Sequence, residues 1–245
     1  MSSATPVTEP IVFRWHQAEI TAITPVTPQV KSFRLRCDLA NAYRAGQHVD
    51  VRLTAEDGYQ AQRSYSIASA PDGSGTLELM VEALPDGEVS GWFSQAAEIG
   101  DRVELRGPIG GSFSWDGPDG GPLLLGAGGS GVVPLLAMLR RRARVAPEIP
   151  AALIYSARTR ADAIALPELE RLAGDGTGFS LHLTTTRDDG GRRIDAALVA
   201  GALARVGRPE KVFLCGSNRF VGAASDLILE AGVPAGVIRT ERFGS

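Results

Sequence analysis

Residues Gly121–Pro134 read GPLLLGAGGSGVVP, and the fold is decided by how this stretch is read. Leu123–Leu125 is an apolar run too short for a helix and suited to a buried parallel strand. It leads into Gly126-Ala127-Gly128-Gly129-Ser130-Gly131, and an apolar stretch at helical spacing follows from Val132 to Leu139, closing on Arg140, Arg141 and Arg142. Strand, glycine turn and helix in that order present free backbone N–H groups and the positive helix end to a phosphate. Gly126, Gly128 and Gly131 match G-x-G-x-x-G, with glycines permitting positive φ and close backbone approach. Pro134 falls near the first turn of the helix, where proline is tolerated, but it is not part of the usual dehydrogenase fingerprint.

The pattern changes on either side of this stretch. Before residue 118, short alternating segments read as strands: Phe13–Thr24, Gln29–Cys37, Gly46–Leu53, Gln62–Ala68, Thr76–Ala83 and Asp101–Gly107, with turns at Thr24-Pro25 and Thr27-Pro28 and a short helix at Val89–Ala97. Short strands at this spacing predict a small antiparallel six-stranded barrel. Beyond residue 118, strands at Ala151–Tyr155, Ser180–Thr185, Lys211–Leu214 and Val237–Arg242 alternate with helices at Leu166–Leu172, Asp195–Val206 and Phe220–Ala231. That alternation predicts right-handed βαβ units and a parallel sheet. The expected division is a tail at 1–12, a barrel at 13–117 and an α/β domain at 118–245.

Composition narrows the function. The chain has 245 residues and a net charge of −3, with no apolar run approaching a membrane span and no basic patch for nucleic acid. Met1–Pro10 lacks the regions of a secretion signal, so a soluble cytosolic protein is expected. Cys37 and Cys215 are the only cysteines. They cannot by themselves form a zinc site or hold an iron–sulfur cluster, and His16, His48 and His182 show no metal spacing.

In the second half, ligands should meet the carboxyl ends of the strands. An NAD site places Asp or Glu at the end of the second strand to bond the ribose 2′-OH. Here that strand runs into Ser156-Ala157-Arg158-Thr159-Arg160, with no acid before Asp162, and the next ends in Thr184-Thr185-Thr186-Arg187. Hydroxyls and arginines at neighbouring strand ends suit a 2′-phosphate, so Ser156, Arg158, Thr186 and Arg187 are candidate NADP ligands. A short-chain dehydrogenase would need tyrosine four residues before lysine. Tyr43, Tyr59, Tyr65 and Tyr155 are instead followed at that distance by Gln47, Arg63, Ser69 and Thr159. The hydride acceptor must then come from the first half. The run Arg140–Arg142 with Arg144 is expected to cap its helix against the dipole, or else to dock an acidic partner.

Arg63-Ser64-Tyr65-Ser66 places a cation, an aromatic ring and hydroxyls on one strand, able to stack a planar heterocycle and hold a pyrophosphate. With these residues in view the chain resembles the ferredoxin–NADP reductase superfamily. Arg63–Ser66 matches its R-x-Y-S flavin motif, with Ser69 in the usual place, and Gly87-Glu88-Val89-Ser90 matches its G-x-x-S segment. Gly128–Pro134 matches its nicotinamide-side glycine motif ending G-x-x-P, which accounts for Pro134, and Cys215-Gly216 matches its Cys-Gly pair. Glu241-Arg242-Phe243 resembles the end of several bacterial members, whereas plant-type members end on tyrosine.

The resemblance implies a Greek-key flavin barrel ahead of the dinucleotide domain. Arg63, Gly87, Val89 and Ser90 would meet the FAD pyrophosphate, and Tyr65 and Ser66 the isoalloxazine. Met80, Val81 and Glu82 would pass beside it. Gly129, Ser130 and Gly131 would admit the nicotinamide, with Cys215, Gly216 and Phe243 nearby. Ser66, Cys215 and Glu241 would surround hydride transfer from NADPH, or NADH, to FAD. Electrons would then pass singly to a separate acceptor such as a ferredoxin, a flavodoxin or an oxygenase or metalloenzyme component. The same fold would also suit a subunit active only in a larger complex, or a non-catalytic flavin sensor.

Overall fold

The computed structural model describes residues 14–41 and 43–243. The expected tail at 1–12, together with Phe13, Gly244 and Ser245, lies outside the described residues. In the first half, alternating side chains build six strands: β1 (Trp15–Thr27), β2 (Val30–Arg36), β3 (His48–Thr54), β4 (Gln60–Ser66), β5 (Thr76–Glu82) and β6 (Arg102–Ile109). They lie in the order β4-β3-β6-β1-β2-β5, every pairing antiparallel. The sheet closes where Ile67 bridges Leu79 and the Ala68 N–H donates to the Glu78 carbonyl at 2.8 Å. Ile20, Phe33, Leu35, Val49, Val51, Leu77 and Leu105 fill the interior, as period-two alternation requires. Helix α1 (Glu88–Gln95) covers one mouth, its buried Phe93 lying 4.7 Å from the Phe33 ring and 5.9 Å from that of Tyr65.

The first turn differs from expectation. Thr24-Pro25 belongs to β1, and the chain turns at Pro28-Gln29. Strand β6 pairs with β1 only from Trp15 to Glu19. At Pro25, therefore, β2 is the sole partner, and the missing N–H breaks no second ladder.

In the second half, β7 (Leu123–Gly128), α2 (Val132–Val145), β8 (Ala151–Ala157), α3 (Leu166–Gly174), β9 (Phe179–Thr185), α4 (Ala196–Val206), β10 (Lys211–Gly216), α5 (Asn218–Glu230) and β11 (Ile238–Arg242) alternate. The sheet is parallel throughout, in the order β11-β10-β7-β8-β9. Leu124, Ile154, Val212 and Leu214 pack against α4 and α5, while Leu125, Leu153 and Phe213 face the layer of α2 and α3. The chain steps outward from β7 to β9, then returns to place β10 on the other side of β7. The strand ends of β7 and β10 therefore flank a topological switch point, the usual crevice for a ligand.

The two halves share a core. Ala45, Ala68, Met80, Phe113 and Trp115 from the first cluster with buried α2 side chains, and the Phe113 ring meets Phe213 edge-on at 5.3 Å. The arginine run takes part in this junction, while its later members, Arg142 and Arg144, lie in the last turn of α2 as the helix-capping expectation required. The run lies within α2, which continues to Val145. Arg140 and Arg141 reach sideways to Glu78 and Asp116 of the first half. Arg142 is buried and donates to the carbonyls of Ile149, Pro147 and Thr177. These guanidiniums find internal partners, so of the run only Arg144 is left exposed.

Candidate functional site

The glycine turn follows β7 and opens α2. A Cβ on Gly131 would overlap the carbonyl group of Cys215 and lie 2.8 Å from Gly216 N, so only glycine lets the helix start sit on β10. Gly129, at φ +57°, supplies the left-handed residue of the turn and has open space beside it. Around this turn lies a cavity of about 530 Å³. The expected Gly129, Ser130, Ser156, Arg158, Thr186 and Arg187 line it together. Gly131 lies buried beneath and acts through close approach.

Four more residues belong here that sequence reasoning missed: Arg193, Ser217, Arg219 and Phe220. The signals for them were Arg193 shortly after Gly190-Gly191 and a helix start directly after Cys215-Gly216. Backbone pairing aims the arginines. The Arg187 N–H donates to the Arg158 carbonyl (2.7 Å), and the Arg192 N–H to that of Thr185 (2.7 Å). Among the described residues, Arg158, Arg187, Arg193 and Arg219 make no ion pair. The lining carboxylates are Glu82 and Asp162. Arg160 turns away to Glu170. Four unpaired guanidiniums facing two carboxylates make an anion site.

The barrel contributes to the same cavity through Thr27, Gln29, Val30 and Glu82, and Phe243 lines it with its N–H donated to Gly216 O (3.2 Å). Arg63–Ser66 and Gly87–Ser90 lie outside that lining. Arg63 is exposed and donates to its neighbour's carbonyl, that of Gln62 (2.7 Å). Beside it, the Tyr59 hydroxyl donates to Glu88 in the first turn of α1 (2.9 Å). No side chain caps that helix at Gly87. An exposed guanidinium next to an uncapped helix start is the donor set a pyrophosphate needs, and Tyr65 adds a half-buried ring on the same strand. These residues fit FAD.

Several side chains expected at the flavin have partners within the protein. The Ser64 hydroxyl donates to Asp50 Oδ1 (2.6 Å), and Arg106 Nη2 donates to Asp50 Oδ2 (2.6 Å). Burial alone would raise the Asp50 pKa, but these hydrogen bonds and the guanidinium charge hold it low. The Ser69 hydroxyl pairs with the Tyr43 hydroxyl (2.8 Å) and accepts from Glu78 N (3.0 Å). Ser90 is buried, its hydroxyl accepting from Leu84 N (3.3 Å) and donating to Gly87 O (3.4 Å). Val81 and Val89 point into the barrel core, and Met80 into the junction between the halves. The packed faces of β5 and the inward face of α1 bury Met80, Val81, Val89 and Ser90, so at these positions the backbone is what a ligand would meet, whereas Ser64 stays exposed with its hydroxyl engaged by Asp50.

Of the expected trio Ser66, Cys215 and Glu241, the last two stand side by side on paired strands. Cys215 stands opposite Ala127 on one side and Glu241 on the other. Ser66 stands opposite His48. At Gly110, the position a Cβ would take is 3.7 Å from His48 Nδ1 and 3.8 Å from Glu241 Oε1. His48 and Glu241 thus both approach Gly110 from different strands, a placement of His48 that its lone position in the sequence did not signal. Burial pushes the Cys215 thiol up, with the Glu241 charge adding to it, so Cys215 packs as a thiol. Burial likewise pushes the Glu241 carboxyl up to about 7.

That shift has a sign. Between the ordinary carboxylate range and about 7, the folded state holds a proton that the unfolded chain has released. The group's stabilisation is full at lower pH and is lost as pH rises through that window. Glu241→Gln should flatten this decline. Urea unfolding of both proteins from pH 4.5 to 8 checks it, and parallel curves would contradict it.

Residues 17–115 match the family model described as the oxidoreductase FAD-binding domain, and residues 125–226 that of the oxidoreductase NAD-binding domain. The chain is 34% identical over 242 residues to ferredoxin–NADP reductase B of Sorangium cellulosum, covering 93% of this chain and 97% of that one. The chain belongs to the ferredoxin–NADP reductase superfamily. Among solved structures, a cytochrome P450 reductase from Amycolatopsis superposes with a TM-score of 0.80 at 28% identity, over 99% of this chain and 73% of that one. Methane monooxygenase component C of Methylosinus trichosporium is 34% identical over 158 residues, which is 64% of this chain. The chain matches only 45% of that relative's length. At the junction between barrel and sheet, His48 and Glu241 both approach Gly110, and Glu82 of the barrel lines the cavity at the glycine turn. No helix of the described residues is long and apolar enough to cross a membrane.

Proposed function

We propose that this superfamily member is a cytoplasmic, flavin-dependent NAD(P)H oxidoreductase that delivers electrons to a separate acceptor protein. The observation that carries the reading is the shared cavity. Its lining combines Arg158, Arg187, Arg193 and Arg219, which make no ion pair among the described residues, with Glu82 of the barrel and Phe243. A dinucleotide anchored by its phosphates can thus extend toward the flavin strand. In this reading residues 13–117 hold FAD and residues 118–245 hold the nicotinamide nucleotide.

Arg63 and the start of α1 bind the pyrophosphate, Tyr65 orients the ring system, and Ser66 donates a hydrogen bond at its reactive end. Gly129–Gly131 admit the nicotinamide, Cys215 packs beside it, and Glu241 holds a proton at its carboxyl up to about pH 7. FAD supplies the chemistry of accepting a hydride and releasing single electrons. The chain's own contribution is position and field. Relatives named as oxygenase components support an oxygenase component as acceptor, and the relative named as a ferredoxin–NADP reductase supports a ferredoxin.

Isolation of the protein tests the proposal. It should be yellow, release FAD on denaturation, and oxidise NADPH with an artificial one-electron acceptor in the absence of any partner. A protein that cannot be reconstituted with FAD would overturn the reading. Bound flavin without nucleotide oxidation would indicate a sensor instead.

A further inference from the structure

Helix α2 starts at the glycine turn of the nucleotide cavity, and further along it carries Arg140. From Nη1, Arg140 donates to the Ala68 carbonyl (2.9 Å) and to Glu78 Oε2 (2.5 Å). From Nε and Nη2 it donates to both carboxylate oxygens of Glu168 on α3, at 2.8 and 2.7 Å. Ala68 and Glu78 are themselves paired through their backbones at 2.8 Å, beside the bridge that closes the barrel. Ala68 lies just past Ser66 on the same run of chain. The Arg140 side chain is only 21% exposed and that of Glu78 16%. One guanidinium therefore ties the helix that begins at the nicotinamide turn to the segment that ends the flavin strand.

We propose that Arg140 is a positioning residue for hydride transfer, setting the offset between the Gly129–Gly131 turn and the Ser66 end of β4. The proposal rests on the flavin and nicotinamide reading of those two ends. The carboxylates on either side belong to different halves, so the fork acts as a spacer of fixed length. Lysine, a single point charge, cannot hold two carboxylates and a carbonyl in one plane. Hydride transfer is sensitive to such an offset, since a misplacement of about 1 Å can cost ~100-fold in rate.

The test uses the full chain carrying Arg140→Gln, Arg140→Lys or Glu78→Gln. Stopped-flow flavin reduction at saturating NADPH should slow at least ~10-fold in Arg140→Gln, while NADP+ affinity stays within about threefold. Arg140→Lys should recover part of the rate. Adding Glu78→Gln to Arg140→Gln should slow it no further, because both changes break one link. In the flavin-free chain, amide hydrogen exchange should rise together at residues 66–69 and 129–131. If Arg140→Gln does not fold, Glu78→Gln alone is expected to slow the same step about fivefold, because it keeps the guanidinium but removes its charge partner on the barrel. A wild-type saturating rate in folded variants would overturn the proposal, whether or not Tm falls, and so would a loss confined to KM. Wild-type flavin that neither nucleotide reduces would overturn the oxidoreductase reading instead. The exchange measurement would then decide the clamp on its own.

Discussion

Gly131→Ala is expected to cost this protein most of its nucleotide binding and much of its stability. The added methyl would overlap the carbonyl group of Cys215 and press within 2.8 Å of Gly216 N. Those atoms are strand backbone held in register by Ala127 and Glu241 on either side, so no side chain can swing aside. The start of α2 must move off β10, and overpacking of this kind costs ~1–3 kcal/mol or more. The displaced turn would no longer present its N–H groups to the cavity, so NADPH affinity should fall about a hundredfold, or ~3 kcal/mol. Gly129→Ala is the contrasting variant. Its φ of +57° is strained for alanine but its surroundings are open, which predicts a penalty of about 1–2 kcal/mol. Thermal unfolding and NADPH titration of both variants decide the matter. Wild-type Tm and affinity in Gly131→Ala would refute the close-approach argument.

Preference for NADPH over NADH is the second large effect. Arg158 and Arg187 stand at neighbouring strand ends, on one cavity wall, without ion-pair partners among the described residues. A hydrogen bond to a charged group contributes ~1.5–3 kcal/mol, so losing either guanidinium should reduce the preference about tenfold to a hundredfold. The loss should fall on KM for NADPH, because the 2′-phosphate lies far from the transferred hydride and is bound alike in ground and transition states. NADH kinetics should barely change. Equal efficiency with the two nucleotides in the wild type would defeat the discrimination argument. A preserved ratio in both Arg158→Ala and Arg187→Ala would move it to Arg193 or Arg219, which the cavity also presents.

The glycine turn was legible because its geometry is local: a strand, residues free to take positive φ, and a helix follow one another within a few positions. Arg158 and Arg187 were legible for a related reason, since a parallel strand delivers the residues after it to one edge of the sheet. Arg193 and Arg219 were not, because the fold of a loop and the start of a distant helix bring them round. Alternation assigned β4 its two faces. It did not show that Ser64 would meet Asp50, or that Ser69 would meet Tyr43.

The sequence by itself determined the plan of an antiparallel barrel followed by a parallel α/β sheet, and the order of elements. These depend on short-range sterics and on the period with which apolar side chains recur. Tertiary structure alone decided which hydroxyls find partners, that His48 and Glu241 both approach Gly110, and what the arginines of α2 hold. Arg140 and Glu78 are 62 residues apart. A charge so placed has many possible partners along the chain, and only the packing of barrel against sheet selects one.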